Sequence, residues 1–103
     1  MRYIMSVRIP IDRGNELLKD PQFGQKMNDL VTSVKAEAVY FTTVNGQRGG
    51  YIIVNMDDAS QLPAIAEPFF LYLHADIDVH PVMLLSDLQK AGPGIGAAAQ
   101  KWG

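Results

Sequence analysis

The chain of 103 residues contains no cysteine. This absence excludes disulfide bonds, a thiol nucleophile and a thiolate metal site. No apolar run approaches the roughly 20 residues that a membrane-spanning helix requires, so we expect no membrane partner. The nine basic residues are scattered, and the formal net charge is -2. Because a nucleic-acid backbone demands a basic stripe, the charge pattern also predicts no nucleic-acid partner.

The first ten residues alternate in polarity, which is typical of a strand and not of a signal peptide. We therefore expect a cytoplasmic protein. Apolar residues make up 48% of the chain, enough for a buried core in one domain over residues 1–103.

The segment Glu37–Met56 predicts a β-hairpin. Its Asn45-Gly46 pair is typical of a two-residue type I′ turn, in which both central residues need positive φ. Tyr40 then pairs with Tyr51 across the hairpin. The same register gives the pairs Val44–Gln47 and Thr42–Gly49. One face is purely apolar and must be covered: Val39, Phe41, Ile52 and Val54. The other face is half polar: Ala38, Tyr40, Thr42, Tyr51, Ile53 and Asn55.

Helices and strands alternate along the rest of the chain. Arg2–Ile9 alternates as a half-buried strand. One face carries Tyr3, Met5, Val7 and Ile9, and the other carries Arg2, Ile4, Ser6 and Arg8. Asp20-Pro21 predicts the start of a helix, which has one apolar stripe: Phe23, Met27, Leu30, Val31 and Val34. A second helix follows residues 57–60, and we expect Pro68 to kink or end it. Its predicted buried side consists of Leu62, Ile65, Ala66, Phe69 and Phe70.

Residues 75–82 alternate as a last strand of the core, residues 1–83. A helical tail over residues 84–103 follows, in which Trp102 is expected to anchor the tail on its own subunit or on a second copy. The order β-α-β-β-α-β predicts an α+β fold with a four-stranded antiparallel sheet and both helices on one face. The uncovered face would expose a large semi-apolar patch in water. A second copy stacked sheet to sheet covers it most simply, because a two-fold axis needs only one self-complementary surface.

The segment Pro68–Val79 resembles the corresponding helix end and strand of the muconolactone isomerases. With the element order, it makes residues 1–83 similar to the dimeric α/β-barrel superfamily of ferredoxin-like proteins, nearest to uncharacterised bacterial members. This superfamily also includes antibiotic-biosynthesis monooxygenases and stress-responsive barrel proteins. The resemblance implies a barrel of two sheets around a cavity. The isomerases carry a histidine in strand one, where this chain has Ile4, and no histidine precedes His74.

Three polar residues alternate in the last strand and so share one face: Asp76, Asp78 and His80. As an acid/base pair, His80 takes a proton while Asp78 orients it, which makes these two the catalytic candidates. A divalent metal is a further interpretation, but no third firm ligand is evident, so we expect neither a metal nor a cofactor. The purely structural interpretation is a cross-strand ion pair between Asp76 and Arg8, with Asp78 and His80 solvated.

Tyr40 and Tyr51 are predicted neighbours on the uncovered face. They can line a pocket for an aromatic ligand or belong to a dimer interface, where tyrosine is enriched. Arg8 and Asp76 complete the candidate ligand-binding set.

Two hypotheses follow. The first is a homodimer that binds or transforms a small apolar or aromatic metabolite between its sheets, of the isomerase or cofactor-free monooxygenase type. The alternative is a non-catalytic ligand-binding or stress-related assembly module.

Overall fold

The computed structural model describes all residues from 1 to 103, which form four strands, five helices and one 3₁₀ turn. The strands are β1 (Arg2–Arg8), β2 (Ala38–Val44), β3 (Gln47–Asn55) and β4 (Asp76–Pro81). The helices are α1 (Ile11–Leu18), α2 (Phe23–Ser33), α3 (Leu62–Leu73), α4 (Leu85–Lys90) and α5 (Gly92–Trp102). The 3₁₀ turn, Ala59–Gln61, leads into α3. None of the helices combines the length and the apolarity needed to cross a membrane.

The four strands form one antiparallel sheet in the order β2-β3-β1-β4, which confirms the predicted α+β, ferredoxin-like fold. The hairpin register is also confirmed, with Tyr40 opposite Tyr51. Asn45 and Gly46 have φ of 50° and 80°, so both central turn residues adopt the positive φ that a type I′ turn needs. The local turn chemistry therefore sets the register of two of the four strands.

The core lies between the sheet and the helices α1, α2 and α3. The strands contribute alternate side chains that are almost fully buried: Met5, Val7, Ile52 and Val54. The helices cover them with Leu17, Leu30, Phe69 and Leu73. Burying each such side chain stabilises the fold by roughly 1.5–3 kcal/mol. This layer leaves the opposite face of the sheet without a helix.

Two aromatic residues predicted to be covered are exposed. Phe41 is 72% exposed, because β2 is an edge strand and the core is built over β1 and β3, with only Val39 of β2 packed against it. Phe70 is 42% exposed, since Phe69 and Leu73 occupy the side of α3 that meets the sheet.

The helix start predicted at Pro21 was wrong, and of the two effects predicted for Pro68, a kink or an end, the helix does not end there. α3 continues through Pro68 to Leu73. Pro68 removes one backbone hydrogen bond, but burial of Phe69 and Leu73 holds the helix against the sheet. α2 begins after Gln22 and not at Pro21, because Asp20 closes a turn before the helix in which its carboxylate accepts a hydrogen bond from the Gln22 amide (2.9 Å).

The C-terminal tail forms helices as predicted, but it projects away from the core. No residue of α4 or α5 is buried, and Trp102 is 79% exposed. The radius of gyration is 17.2 Å, whereas a compact domain of this length has about 13 Å. The longest dimension is 58 Å, about twice the next one of 28 Å. Trp102 therefore does not anchor the tail on its own subunit.

Candidate functional site

The helix-free face of the sheet contains a hollow of about 250 Å³. Its lining consists of Ile4, Ser6, Arg8, Val44, Asn45, Tyr51, Asp78 and His80. Four of the six predicted site residues thus come together in one place: Arg8, Tyr51, Asp78 and His80. Tyr40 and Asp76 lie on the same face but outside the lining.

Two glycines in β3 allow its neighbouring strands to approach closely. A Cβ atom on Gly49 would clash with the backbone carbonyl of Val7, and one on Gly50 would clash with that of Tyr40. The strands therefore approach closely on both sides of β3, and the pairing continues without a bulge. The tip of the hairpin adds Val44 to the wall of the hollow, where this side chain is only 5% exposed.

An ion pair crosses the floor of the site from β1 to β4. Arg8 donates a hydrogen bond to Asp78 (2.8 Å), and the Ser6 hydroxyl lies 3.5 Å from the same carboxylate oxygen. The predicted partner of Arg8 was Asp76, and that prediction was wrong. Asp76 is directly opposite Arg8 in the register, but the long arginine side chain reaches diagonally to the next residue on this face. Diagonal neighbours in a sheet are within reach of long side chains.

The ion pair determines the ionisation of Asp78. The hydrogen bond and the positive charge of Arg8 lower the pKa of Asp78 below its ordinary value, against a smaller opposing effect of desolvation. The charge of His80 acts in the same direction as Arg8. Asp78 is therefore an ionised anchor for Arg8 at neutral pH and a weak proton acceptor.

His80 stands apart from this pair. It lines the hollow, its backbone lies opposite Ile4, and its imidazole forms no hydrogen bond with Asp78 or with any other group of the chain. The carboxylate predicted to orient His80 is hydrogen-bonded to Arg8 instead. Of the two catalytic candidates, His80 is the one whose ring is free to meet a ligand.

The two tyrosines contribute differently. Tyr51 is 37% exposed and forms part of the wall, whereas Tyr40 is 64% exposed beside the hollow on the edge strand. They are neighbours across β2 and β3, as predicted. Tyr51 is thus a pocket residue, and Tyr40 extends the apolar surface around the pocket.

Four lining residues were not among the predicted site residues: Ile4, Ser6, Val44 and Asn45. Ser6 lies between Ile4 and Arg8 in the alternation of β1, so the strand period already assigned it to this face. Val44 follows Thr42 by two residues in β2, so the strand period also assigns it to this face, whereas Asn45 lines the hollow because the hairpin tip borders it.

A second polar cluster lies in the helical layer around Tyr72. The guanidinium carbon of Arg13 and the amine of Lys26 lie 5.7 and 5.4 Å from the centre of its ring. Arg13 also donates two hydrogen bonds, of 3.0 and 2.8 Å, to the Tyr72 carbonyl oxygen. Burial raises the pKa of the Tyr72 hydroxyl, which has no hydrogen-bond partner. These contacts join α1 and α2 to α3 and have no connection with the hollow.

No three His, Asp or Glu side chains of the chain lie close enough together to hold a metal ion. At the hollow, the Asp78 carboxylate is already engaged by Arg8, so His80 has no free acidic partner there.

Comparison with known proteins assigns the chain to a family. The model of a family described as a domain of unknown function, DUF3303, matches residues 1–95. The chain belongs to this family. The DUF3303 match includes the whole sheet, the hollow and the first part of the tail. No curated protein matches the chain.

Among solved structures, the de novo designed protein Ferredog-Diesel is similar to this DUF3303 chain. It is 10% identical with a TM-score of 0.42, and the match covers 78% of this chain and 83% of that one. Neither comparison shows a likeness to the muconolactone isomerases, so that finer resemblance stays a prediction.

Proposed function

We propose that this protein is a homodimer that binds a small, largely apolar or aromatic molecule between the helix-free faces of its two sheets. The observation that supports this proposal is the hollow, in which Ile4, Val44 and Tyr51 lie beside neutral polar side chains and one neutralised ion pair. It lies on a face that leaves Tyr40 64% and Tyr51 37% exposed.

Stacking two copies about a two-fold axis would cover this face and close the hollow. Two hollows of about 250 Å³ facing each other would enclose about 500 Å³, which is within the range of about 300–1,000 Å³ typical of small-molecule sites. Sheets that stack in this way lie about 10 Å apart. A single copy would leave the same hollow open to water.

The lining indicates the chemistry of the ligand. Asp78 neutralises the charge of Arg8, so the pocket offers no free cation to a strongly anionic ligand. The remaining polar groups are hydroxyl, amide and imidazole groups: those of Ser6, Asn45, Tyr51 and His80. They match a neutral molecule with an apolar or aromatic body and one or two oxygen atoms.

One observation favours catalysis as a second candidate function. The His80 imidazole lines the hollow without a hydrogen-bond partner, as a general base must before it meets its substrate. Under this second proposal, His80 takes a proton from the bound molecule in an isomerase or a cofactor-free monooxygenase reaction. Because its pKa is lowered, Asp78 would hold Arg8 and not exchange protons.

Native mass spectrometry tests the proposal by reading subunit number and retained mass together. We expect the wild type to be a dimer that retains a small molecule or binds the neutral dye Nile red. Ile53→Arg places a charge on the helix-free face and should give monomers without bound mass. Ala64→Arg, on the exposed side of α3, is the matched control and should remain a dimer.

A wild-type monomer at micromolar concentration would contradict the dimer. A dimer that retains nothing and does not bind the dye would contradict the pocket and favour the assembly module. For the second candidate, His80→Gln should retain the molecule but abolish its turnover, and unchanged turnover would remove His80 as the base.

A further inference from the structure

The two edges of the sheet are protected very differently. The edge strand β4 carries Asp76, Asp78 and His80. It ends at Pro81, which has no amide hydrogen to donate. Charged side chains and proline are features by which native proteins prevent an edge strand from pairing with another chain. The opposite edge strand β2 has the sequence AVYFTTV, with no charged residue and no proline. β2 is therefore the edge that remains open to a further strand.

Alternate residues of β2 point their backbone groups away from the sheet. The Ile9 amide donates a hydrogen bond to the Arg48 carbonyl oxygen (2.8 Å), so the backbone groups of Arg48 point toward β1 and away from β2. Thr43 lies opposite Arg48, and in such a pair the N–H and C=O groups of both residues point away from each other. The outward-pointing residues of β2 are thus Thr43 and, at intervals of two, Phe41 and Val39.

These outward backbone groups have no partner within the chain. β2 pairs with β3 alone, and none of the backbone hydrogen bonds from turns and loops reaches Val39, Phe41 or Thr43. The side chains along this edge are open as well. Phe41 is 72% exposed on one face and Tyr40 is 64% exposed on the other. A strand laid along β2 would pair the free backbone groups and cover an aromatic side chain on each face.

A second copy of β2 fits this edge. A two-fold axis perpendicular to the sheet at Phe41 lays the two strands antiparallel and places Phe41 opposite Phe41 of the other copy. Val39 then lies opposite Thr43, and Tyr40 opposite Thr42. In this register all seven residues of β2 pair, and every outward-pointing residue meets another outward-pointing residue. Cross-strand pairs of aromatic and β-branched side chains stabilise antiparallel sheets, and no charge is buried.

The pairing closes after two copies. A two-fold contact uses the β2 edge of both chains, so the joined sheet has β4 at each of its two ends. Those ends carry the charged side chains and Pro81, which oppose further strand addition. The helices of both copies lie on the same side of the joined sheet, and the helix-free faces stay accessible. The open edge therefore leads to a defined pair of chains and not to a fibre.

The size of the edge sets the strength of the contact. Seven residues at about 3.3 Å each, in a layer about 10 Å thick, give a contact of roughly 230 Å². A standard interface buries about 800 Å² on each partner. We therefore expect edge pairing at sub-millimolar and not at micromolar protein concentration.

From these observations we infer that two copies of the chain pair through β2, antiparallel about Phe41, into one continuous eight-stranded sheet. This inference does not depend on the proposed function, because the edge stays free whether or not the helix-free faces are stacked. Where they are stacked, edge pairing joins two ligand-binding dimers into a tetramer.

Disulfide trapping at sub-millimolar concentration tests the register, because the native chain has no cysteine. Phe41→Cys should give a covalent dimer on a non-reducing gel, since residues that face each other in this way have Cα atoms about 5.5 Å apart and a disulfide tolerates up to about 7 Å. Thr43→Cys is the matched control on the same strand. Across the two-fold it lies about 13 Å along the strands from its own copy, so it should remain at background.

Amide hydrogen exchange measured by NMR tests the backbone pairing itself. Raising the concentration from micromolar to sub-millimolar should slow exchange at Val39, Phe41 and Thr43 by about tenfold or more, because their amides gain hydrogen-bond partners. Exchange at Tyr40 and Thr42, whose amides already point toward β3, should change less.

Two charge substitutions at equally exposed positions separate edge pairing from general association. Phe41→Lys places a lysine on the edge and should abolish the concentration dependence of exchange at Val39 and Thr43. Leu71→Lys is the matched control, because Leu71 is 73% exposed on α3, away from the edge. This variant should retain the concentration dependence.

The outcomes separate this inference from the proposed function. A wild type with no Phe41→Cys cross-link and no concentration-dependent protection overturns edge pairing and leaves the sheet-to-sheet dimer intact. An equal cross-link from Thr43→Cys, or protection that survives Phe41→Lys, also overturns the inference. The Phe41→Cys cross-link should persist when Ile53→Arg is added, because the helix-free face takes no part in this contact. Its loss there would overturn edge pairing, whereas edge pairing in a wild type that is monomeric at micromolar concentration would contradict the proposed function alone.

Discussion

The two faces of the same sheet differ in almost every physical respect. The covered face is built from apolar side chains such as Met5 and Val54, which are fully buried in the monomer. The helix-free face carries the ion pair of Arg8 and Asp78, a free imidazole and two partly exposed tyrosines around a hollow. Both faces come from the same strands, because successive side chains point to opposite sides.

The difference indicates that strand parity separates the side chains that form the core from those that stay accessible. Residues on the covered face stabilise the folded chain by burial. Most residues on the helix-free face stay accessible in one copy of the chain, as a proposed ligand or second copy requires. Substitutions on the two faces should therefore change different measurable quantities.

The largest contrast is expected between Phe69→Ala and Tyr40→Ala. Phe69 is 1% exposed, and its truncation should lower the free energy of unfolding by about 3–5 kcal/mol at every protein concentration. Tyr40 is 64% exposed, and its truncation should change monomer stability by less than about 0.5 kcal/mol while it weakens the proposed dimer. Urea unfolding at two protein concentrations measures both effects. Equal losses for the two variants would remove the distinction between the faces.

A smaller loss of stability is expected at Gly49, where the backbones of β3 and β1 approach closely. Gly49→Ala should destabilise the protein by roughly 1–3 kcal/mol, because the new Cβ meets the rigid Val7 carbonyl and forces the strands apart. Gly24→Ala is the matched control, since nothing lies near a Cβ at that position in α2, and helix propensity predicts a gain of up to about 1 kcal/mol. Thermal unfolding compares the two. A stable Gly49→Ala variant would show that the close approach of β3 to β1 is not required.

The smallest expected effect is the pH dependence of stability that comes from Asp78 on the helix-free face. The pKa of Asp78 is lowered from its ordinary value of 3.8 mainly by Arg8, so the ionised carboxylate favours the folded state. This contribution is complete above the unfolded pKa and is lost as the pH falls through the lower, folded pKa. The stability advantage of the wild type over Asp78→Asn should therefore be present at neutral pH and disappear in acid.

Asp76→Asn is the control for this titration. Asp76 lies on the same face of β4 but forms no ion pair, so its variant should lose less stability at neutral pH. NMR titration of the Asp78 carboxyl in an Arg8→Gln variant should show its pKa returning toward 3.8. If the Asp78 pKa stays low without Arg8, the ion pair is not its cause.

The elements predicted most accurately from sequence are those set by local chemistry. Asn45-Gly46 determines the hairpin because positive φ at two successive residues is a property of the turn itself. The alternation of β1 assigned Met5 and Val7 to the core and Arg8 to the other face, which the structure confirms. The same alternation places all six candidate site residues on the helix-free face, and four of them line the hollow.

The errors occur where a distant part of the chain decides the outcome. Pro68 interrupts hydrogen bonding locally, yet the helix continues because its neighbours are buried on the sheet. Phe41 follows the apolar pattern of the covered face, but its edge position leaves it beyond the reach of the helices. Arg8 pairs with Asp78 and not with Asp76. Which carboxylate the arginine reaches depends on how β1 and β4 lie beside each other, and the residue spacing within β4 alone does not determine it.

By itself the sequence determined the order of the elements, the hairpin register and the division of each strand into two faces, because these depend on turn residues and on a period of two. Only the tertiary structure decided that Phe41 and Phe70 stay exposed, that a hollow forms beside the hairpin tip, that Arg8 engages Asp78, and that the tail projects away from the core. Those features arise from the packing of segments that are far apart in the chain. The residue pattern of one segment does not determine the position of another segment.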